Sequence, residues 1–243
     1  MNCSNLEKEK ILGIIGGMGP MATVLFMRMI IEMTDAHKDQ DHIPMLVRSI
    51  PQTPDRTGFL RGEISRSPLP YILDAAKTLE KEGVFEIAIP CMTAHYFYDE
   101  LKKQIEIPIL NGVAEAVEYA SDMGAKTIGV LATLGAIKTG VYEKEAGRCG
   151  AECIYPDEES CKMVSDVIYD KVKSGKTSGI ETLCRVGTNL LEKGADKVIL
   201  GCTELSVVAD GYDMGKYYLD AMEILAYKCV RDAGKLRKDY KAP

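Results

Sequence analysis

Two cysteines occupy matching positions in this chain, Cys91 in IAIPCMTAHYF and Cys202 in VILGCTEL. Each follows an apolar run typical of a buried strand, and a threonine that could cap a following helix stands close behind. Each also lies eight residues after a glycine that ends a charged helical segment, Gly83 or Gly194. Because a helix N-terminus favours the thiolate form of a cysteine, the pattern predicts two thiols that exchange protons readily.

Two such thiols suit one reaction in particular. Removing the proton from the α-carbon of an amino acid, and returning one to the opposite face, requires a base and an acid that exchange roles with direction. Backbone N–H groups at the helix starts can stabilise the substrate carboxylate as it gains enolate character. We therefore predict that Cys91 and Cys202 flank a single α-carbon as a catalytic acid/base pair.

Strand-length apolar runs alternate with helix-length amphipathic segments, which predicts an α/β protein with parallel sheets. The predicted strands are Ile11–Gly16, Ile43–Ile50, Glu86–Pro90, Pro108–Leu110, Lys126–Leu131, Ala151–Tyr155 and Lys197–Gly201. The predicted helices include Met21–Ala36, Leu69–Glu82, Asp157–Lys173, Ile180–Lys193 and a helix-like final segment, Asp213–Ala233.

The chain also resembles itself. ILGIIGGMG at residues 11–19 is similar to TIGVLATLG at residues 127–135, with paired glycines six apart in both. We predict two similar domains related by a pseudo-two-fold axis: residues 1–113, completed by a C-terminal helix within 209–243, and residues 114–208. Ligands of parallel α/β sheets bind at the carboxyl ends of the strands, so the active site should lie between the domains.

After the second predicted strand we expect a polar loop, PQTPDRTGFLR at residues 51–61. Arg56 could bind a carboxylate with its planar fork, or Asp55 and Arg56 could form a solvated surface pair; we favour binding. His95 stands four residues after Cys91, and we expect it to serve packing rather than catalysis.

The glycine-rich turn at residues 13–22, GIIGGMGPMA, raises the possibility of a dinucleotide site. Such a site needs a carboxylate at the end of the second strand, where this chain has Arg48, Ser49 and Ile50. Pro20 also removes an N–H from the turn. We expect the turn to let the backbone approach a small ligand, and we predict no cofactor.

Composition narrows the remaining classes. The 243 residues carry a net charge of −6 without a long basic run, which argues against nucleic-acid and membrane partners. The eight cysteines are scattered and no secretory signal is visible, so we expect reduced thiols and a cytoplasmic protein. Cys149, Cys153 and Cys161 lack the spacing of a zinc site, and we predict no metal.

Four motifs together are recognisable: GGMGP at 16–20, PDRT at 54–57, PCMTAH at 90–95 and GCTEL at 201–205. In order and spacing they resemble the PLP-independent aspartate/glutamate racemase family, and most closely its aspartate racemase branch. The resemblance implies two similar α/β domains with the site between them, a homodimer, an acidic amino acid as substrate and no cofactor.

Residue by residue, the resemblance assigns Cys91 and Cys202 as the catalytic pair and Arg56 as a ligand of the substrate carboxylate. Lys173 resembles the family's second cationic contact, although it could equally be a solvated charge at a helix end. The remaining residues that the resemblance places at the substrate are Met18, Met92, Thr93, Ala94 and Thr203.

Met92 departs from the family pattern, which usually has asparagine after the first cysteine. Losing one buried polar contact shifts selectivity by about 1–3 kcal/mol, so a less polar or larger substrate side chain is possible. The leading prediction is a racemase of aspartate, glutamate or both. Alternatives are a maleate-type isomerase, which also uses two cysteines, a decarboxylase of the arylmalonate type, which is expected to keep one, and a non-catalytic amino-acid-binding homologue.

Overall fold

Two parallel sheets organise the chain in this computed structural model, which describes residues 10–240 and 242–243. The first sheet has the order β2-β1-β3 and the second the order β5-β4-β6-β7. The strands are β1 (Leu12–Gly16), β2 (Met45–Ser49), β3 (Glu86–Ala88), β4 (Thr127–Leu131), β5 (Glu152–Ile154), β6 (Lys197–Leu200) and β7 (Tyr218–Asp220).

Helices cover both sheets. They are α1 (Pro20–Met33), α2 (Arg56–Arg61), α3 (Leu69–Lys81), α4 (Tyr98–Lys102), α5 (Gly112–Asp122), α6 (Leu134–Thr139), α7 (Val141–Arg148), α8 (Glu158–Asp166), α9 (Ile180–Glu192), α10 (Thr203–Ala209) and α11 (Ala221–Ala233). Shorter 3₁₀ turns span Asp39–Asp41, Met92–Phe97 and Val172–Ser174, and a π-turn spans Val167–Lys171. Among the described residues, none of the helices has both the length and the apolar character needed to cross a membrane.

The strand orders of the two sheets correspond. In each, the first strand in the chain is central, the second lies on one side and the third on the other, and every pairing is parallel. Cys91 therefore follows β3 as Cys202 follows β6. The predicted α/β fold with helix-flanked parallel sheets is confirmed, whereas the domain boundaries stay a prediction.

A shared apolar core joins the two sheets. Alternate residues of β1 face opposite sides, as the period of a strand requires. Leu12 and Ile14 face a core that continues beneath the second sheet, whereas Ile15 joins a separate cluster with Ile72 of α3. Helix α11 packs against α1 and α5. Burying each side chain of this size contributes roughly 1.5–3 kcal/mol to the free energy of unfolding. The core therefore fixes the ends of β3 and β6 firmly.

Two strand predictions need correction. Tyr218–Asp220, within the segment predicted as helix-like, is strand β7; its central Leu219 is buried against the sheet. The prediction failed because the strand is too short to interrupt the apolar periodicity of α11. Pro108–Leu110 forms only an isolated parallel bridge to Ile87, since a proline lacks the N–H that a longer ladder needs.

The predicted helix Asp157–Lys173 is also not continuous. Helix α8 ends at Asp166, and the chain then widens into the π-turn before tightening into the 3₁₀ turn. Turns of this kind are frequent at functional sites. Here they stack the ammonium group of Lys173 over the ring of Tyr169, 4.0 Å from its centroid, and Gly175 ends the segment with a positive φ of 89°.

Candidate active site

Cys91 and Cys202 line one small cavity where β3 and β6 end. Both thiols are buried, at 5% and 4% exposure. The cavity measures about 10 Å³, which is room for roughly one water molecule. Six of the seven predicted substrate-binding residues also line it: Met18, Arg56, Met92, Thr93, Lys173 and Thr203.

Cys91 lies at the start of a 3₁₀ turn rather than the expected α-helix. It is the residue before Met92–Phe97, and its side chain makes no capping hydrogen bond. The guanidinium group of Arg56 is its charged neighbour: burial disfavours the cation, yet Cys91 and Asp55 outweigh burial, so the pKa of Arg56 is raised. A cation next to a cysteine stabilises negative charge on sulfur.

Cys202 has a neighbour of the opposite sign. It precedes α10, and its Sγ donates to Oε2 of Glu204 over 3.0 Å. Burial raises the pKa of the Cys202 thiol well above the usual range, and the negative charge of Glu204 raises it further. Thr203, the expected capping residue, donates instead to the same Glu204 oxygen over 3.3 Å.

Arg56 is the first residue of α2, and the segment predicted as a loop is helical from this point. Its guanidinium group is held by backbone carbonyls: Nη1 donates to Thr53 and Pro54, and Nη2 donates to Met18 over 3.3 Å. Nε has no hydrogen-bond partner among the described residues. The side chain is therefore fixed beside the cavity with its Nε donor still available.

Lys173 pairs with Asp55 across the two halves of the chain, with 2.9 Å between Nζ and Oδ2. Asp55 does not pair with its neighbour on a solvated surface; it caps α2, accepting from the N–H of Gly58 over 2.8 Å. Burial disfavours the Lys173 cation, but Tyr169, Glu204 and Asp55 outweigh it and raise the pKa of Lys173. The ion pair is thus one wall of the cavity.

Two close contacts bring the halves together at the site. The hydroxyl groups of Thr93 and Thr133 lie 2.9 Å apart and are buried. Gly135 approaches α2 so closely that an added Cβ would lie 2.8 Å from Cα of Thr57. Glycine is required there because the backbones of α6 and α2 meet without room for a side chain.

Three predicted neighbours of the thiols differ in how they contribute. Met18 offers its carbonyl to Arg56, as described above. The Sδ and Cε atoms of Met92 lie against Gly112 on α5, so its thioether packs in the apolar core. Ala94 is fully buried in the other apolar cluster and does not line the cavity.

His95 bonds to backbone. The N–H of Gly112 donates to Nε2 over 2.9 Å, which leaves Nδ1 to donate to the Cys91 carbonyl over 3.1 Å. Complete burial lowers the pKa of the imidazole. The ring therefore fixes the backbone at Cys91, in line with the packing role predicted from the sequence.

A larger pocket of about 410 Å³ adjoins the cavity and contains the glycine-rich turn. Both spaces share Asp55, Arg56, Lys173 and Glu204 as lining residues. These four charged side chains therefore stand between the thiols and the outer pocket. The outer pocket is large enough for an amino acid, whereas the inner cavity is not.

The residues considered above for a dinucleotide site or a metal site make hydrogen bonds within the chain. In the glycine-rich turn, the N–H of Gly17 already donates to Oγ1 of Thr23 over 2.9 Å. Cys161 donates to the Pro156 carbonyl over 3.3 Å. Within residues 10–240 and 242–243, no three histidine, cysteine or acidic side chains are grouped as metal ligands.

Sequence reasoning missed five residues of the cavity: Asp55, Thr57, Thr133, Tyr169 and Glu204. Two of them had a usable pattern. Glu204 stands inside the GCTEL motif, and the internal duplication aligns Thr133 with Gly17, next to the predicted Met18. Tyr169 had none, because its position depends on the π-turn.

Two parallel sheets of matching strand order, with a thiol after the third strand of each and both thiols on one cavity, define an α/β protein with a paired-cysteine site. Comparison with known proteins gives the family. The family model of the Asp/Glu/hydantoin racemases matches residues 15–229, and the chain belongs to that family. The resemblance seen in the sequence is confirmed.

Several relatives are similar over nearly their whole length. The broad specificity amino-acid racemase RacX of Bacillus subtilis (strain 168) is 30% identical over 90% of this chain and 96% of its own. An aspartate racemase structure from Picrophilus torridus is 31% identical with a TM-score of 0.82, covering 95% of this chain and 97% of its own. A glutamate racemase structure from Bacillus anthracis, at 15% identity and a TM-score of 0.65, shares the fold over 95% of this chain and 85% of its own.

Proposed function

We propose that this protein, a racemase by its family, inverts the α-carbon of amino acids without a cofactor by a two-thiol mechanism. The thiolate on one side takes the α-proton, and the Cα–H electron pair delocalises into the adjoining carboxylate. The thiol on the other side gives its proton to the opposite face and is left as a thiolate. Cys91 and Cys202 are the two groups.

One observation carries this proposal. The thiols come from topologically equivalent strand ends of two sheets, yet they line the same cavity. A buried cysteine is ordinarily an inert apolar residue. Two that line one cavity from matched positions, one beside a cation and one beside a carboxylate, support a role in proton transfer.

We propose aspartate, glutamate or both as the substrate. The Nε donor of Arg56 has no partner among the described residues, and Lys173 adds a second cation at the same cavity. Two cations suit a substrate with two carboxylates. The similarity to a Bacillus subtilis racemase named for broad specificity, together with Met92, makes other amino acids the first alternatives to test.

Substrate entry must separate groups that now touch. The inner cavity is smaller than an amino acid, and the Lys173–Asp55 pair stands between it and the outer pocket. A substrate carboxylate competes with Asp55 for the Lys173 ammonium group. We propose that this exchange opens the path from the outer pocket to the thiols.

Solvent exchange tests the mechanism. Purified protein incubated with L-aspartate or L-glutamate in D₂O should yield the D-isomer with deuterium at Cα, measured by chiral chromatography and mass spectrometry. Cys91→Ala and Cys202→Ala should each lower kcat/KM for racemisation by about 10²–10⁴-fold or more, since one thiol cannot serve both faces. A panel of the common amino acids extends the same assay to other substrates.

The matched control is Cys184→Ala, because Cys184 is an exposed free thiol outside the cavity, and this variant should racemise normally. Full activity in either cavity variant would overturn the two-thiol mechanism. Exchange on other amino acids but on neither acidic one would overturn the proposed substrate and leave the mechanism standing.

We also propose that the protein is a homodimer. Helix α1 presents Met21, Val24 and Ile31 to solvent, at 55%, 60% and 43% exposure, along one face. Arg28, which is also exposed, lies between Val24 and Ile31 on this face, so the face is an apolar patch crossed by one cation. A second copy of the chain could cover this patch. Light scattering after size exclusion should give twice the mass of the chain, and Val24→Glu should shift the protein toward the mass of one chain.

A reducing compartment, the cytoplasm, is the proposed location. The seven cysteines of the described residues are all free thiols. The two-thiol mechanism requires Cys91 and Cys202 to stay reduced, which the cytoplasm maintains.

A further inference from the structure

Among residues 10–240 and 242–243, Glu204 is the carboxylate that hydrogen-bonds to a cavity thiol. It is the second residue of α10, is only 5% exposed, and lines both the inner cavity and the outer pocket. Its Oε2 lies 3.0 Å from Sγ of Cys202. Neither the family resemblance nor the two-thiol mechanism gives it a task.

The contact has a direction. Oε2 accepts from the S–H of Cys202 and from the hydroxyl of Thr203, while Oε1 has no partner among the described residues. A carboxylate favourably accepts a hydrogen bond from a thiol, whereas a thiolate at the same distance would be repelled by it. With Glu204 ionised, this geometry is therefore stable when Cys202 is the protonated thiol.

Other charges near the contact do not reverse this preference. The titratable and charged groups that face Cys202 or Glu204 from other elements are Lys173, Asp55, Tyr142, Tyr169, Arg56 and Cys91. Burial, followed by Glu204, raises the pKa of Cys202, and the opposing effect of Lys173 is smaller. Lys173 is in addition committed to Asp55.

We propose that Glu204 is a positioning residue that holds Cys202 as the thiol, so that the two cysteines begin turnover in different protonation states. This proposal rests on the two-thiol mechanism. In the enzyme before turnover, Cys202 is then the acid, and Cys91, beside Arg56, is the base. After Cys91 accepts the α-proton and Cys202 donates its own, the enzyme recovers when one proton moves from Cys91 back to Cys202. Glu204 drives that return by destabilising the Cys202 thiolate.

Infrared spectroscopy of the S–H stretch tests the contact without any substrate. The spectrum of the wild-type protein at neutral pH minus that of Cys202→Ser isolates the Cys202 band. We expect a band to be present, and to lie at lower wavenumber than that of an ordinary thiol because the acceptor is charged. The same band in Glu204→Gln is isolated by subtracting the spectrum of the double variant Glu204→Gln with Cys202→Ser. It should lie at higher wavenumber, because a neutral amide is a weaker acceptor than a carboxylate.

Cys161 provides the internal control, since its thiol donates to a backbone carbonyl outside the cavity. Its band, isolated by Cys161→Ser, should not respond to Glu204→Gln. Glu204→Asp, which shortens the side chain by one methylene, should give the same upward shift of the Cys202 band and covers the case in which the amide variant folds poorly.

Absence of a Cys202 S–H band in the wild-type protein would overturn the proposal, and so would a band that both Glu204 variants leave in place. These outcomes do not depend on whether the protein racemises anything. Where it does, the alkaline limb of its pH–rate profile should move to lower pH in Glu204→Gln, because removing the negative charge lowers the pKa of the acid. An unmoved limb would count against the resting-acid role.

Discussion

The two walls of the cavity share a backbone plan and differ in charge. After the second strand of each half, an aspartate caps a helix: Asp55 accepts from Gly58, and Asp157 accepts from Ser160. In the first half the next residue is Arg56, which is buried at the cavity. In the second half it is Glu158, which is exposed.

After the third strands, it is the second half that has the buried charged residue beside the cavity. Two residues after Cys91 stands Thr93, which bonds to Thr133; two residues after Cys202 stands Glu204, which bonds to the thiol itself. The equivalent strand order places the thiols symmetrically, and the residues one or two positions away make their surroundings unlike. In the proposed mechanism, the repeated strand order supplies the two acid/base groups, and the residues beside each thiol decide which of the two is charged.

Arg56→Lys should have the largest effect on this contrast. Lysine keeps the charge but lacks the planar fork that donates to three backbone carbonyls while remaining beside Cys91. We expect kcat/KM for racemisation to fall by about 100-fold, which corresponds to about 2.7 kcal/mol.

The control for that variant is Arg61→Lys, at the exposed end of the same helix, where the partner is Glu63. It should leave kcat/KM unchanged. Equal kinetics in the two variants would mean that the fixed geometry of Arg56 does not distinguish the Cys91 wall.

The sequence was sufficient to locate the thiols because their positions depend on local features. A short apolar run, a glycine eight residues earlier and a helix-compatible segment behind are all visible in one dimension. The alternation of strands and helices likewise predicted the α/β fold. These features need no knowledge of what packs against them.

The other features of the site and fold depend on contacts between segments that are distant in the sequence. Tyr169 and Lys173 meet Asp55 because α8 opens into a π-turn, for which the periodic sequence of residues 157–173 gives no indication. Glu204 was in plain view, but whether it faces solvent or sulfur depends on where α10 begins. Strand β7 gains its stability from pairing with β6 and not from its three residues alone.

The smallest predicted effect is a difference in stability between variants of the two capping aspartates, Asp55 and Asp157. In Asp55→Asn the amide oxygen can still accept from Gly58, so the variant keeps the cap and removes only the charge facing Lys173. Both partners are partly exposed, at 27% for Lys173 and 38% for Asp55, so we expect a loss of about 0.5 kcal/mol in the free energy of unfolding at neutral pH.

The pH dependence gives this prediction its sign. Burial raises the pKa of Asp55, but Lys173 and the Gly58 amide outweigh burial, so its folded pKa lies below the unfolded value. The stabilisation is therefore complete above the unfolded pKa and disappears as pH falls through the folded one. Urea unfolding should show the full Asp55→Asn deficit at neutral pH and a deficit that shrinks as pH falls below the ordinary aspartate pKa of about 3.9.

Asp157→Asn is the matched comparison, because Asp157 caps α8 in the same way but is 58% exposed and lies 3.3 Å from Lys193. We expect a smaller deficit than for Asp55→Asn. Identical losses in both variants at every pH would show that the Lys173 pair is an ordinary surface contact. The proposed opening by exchange with a substrate carboxylate would then lose its physical basis.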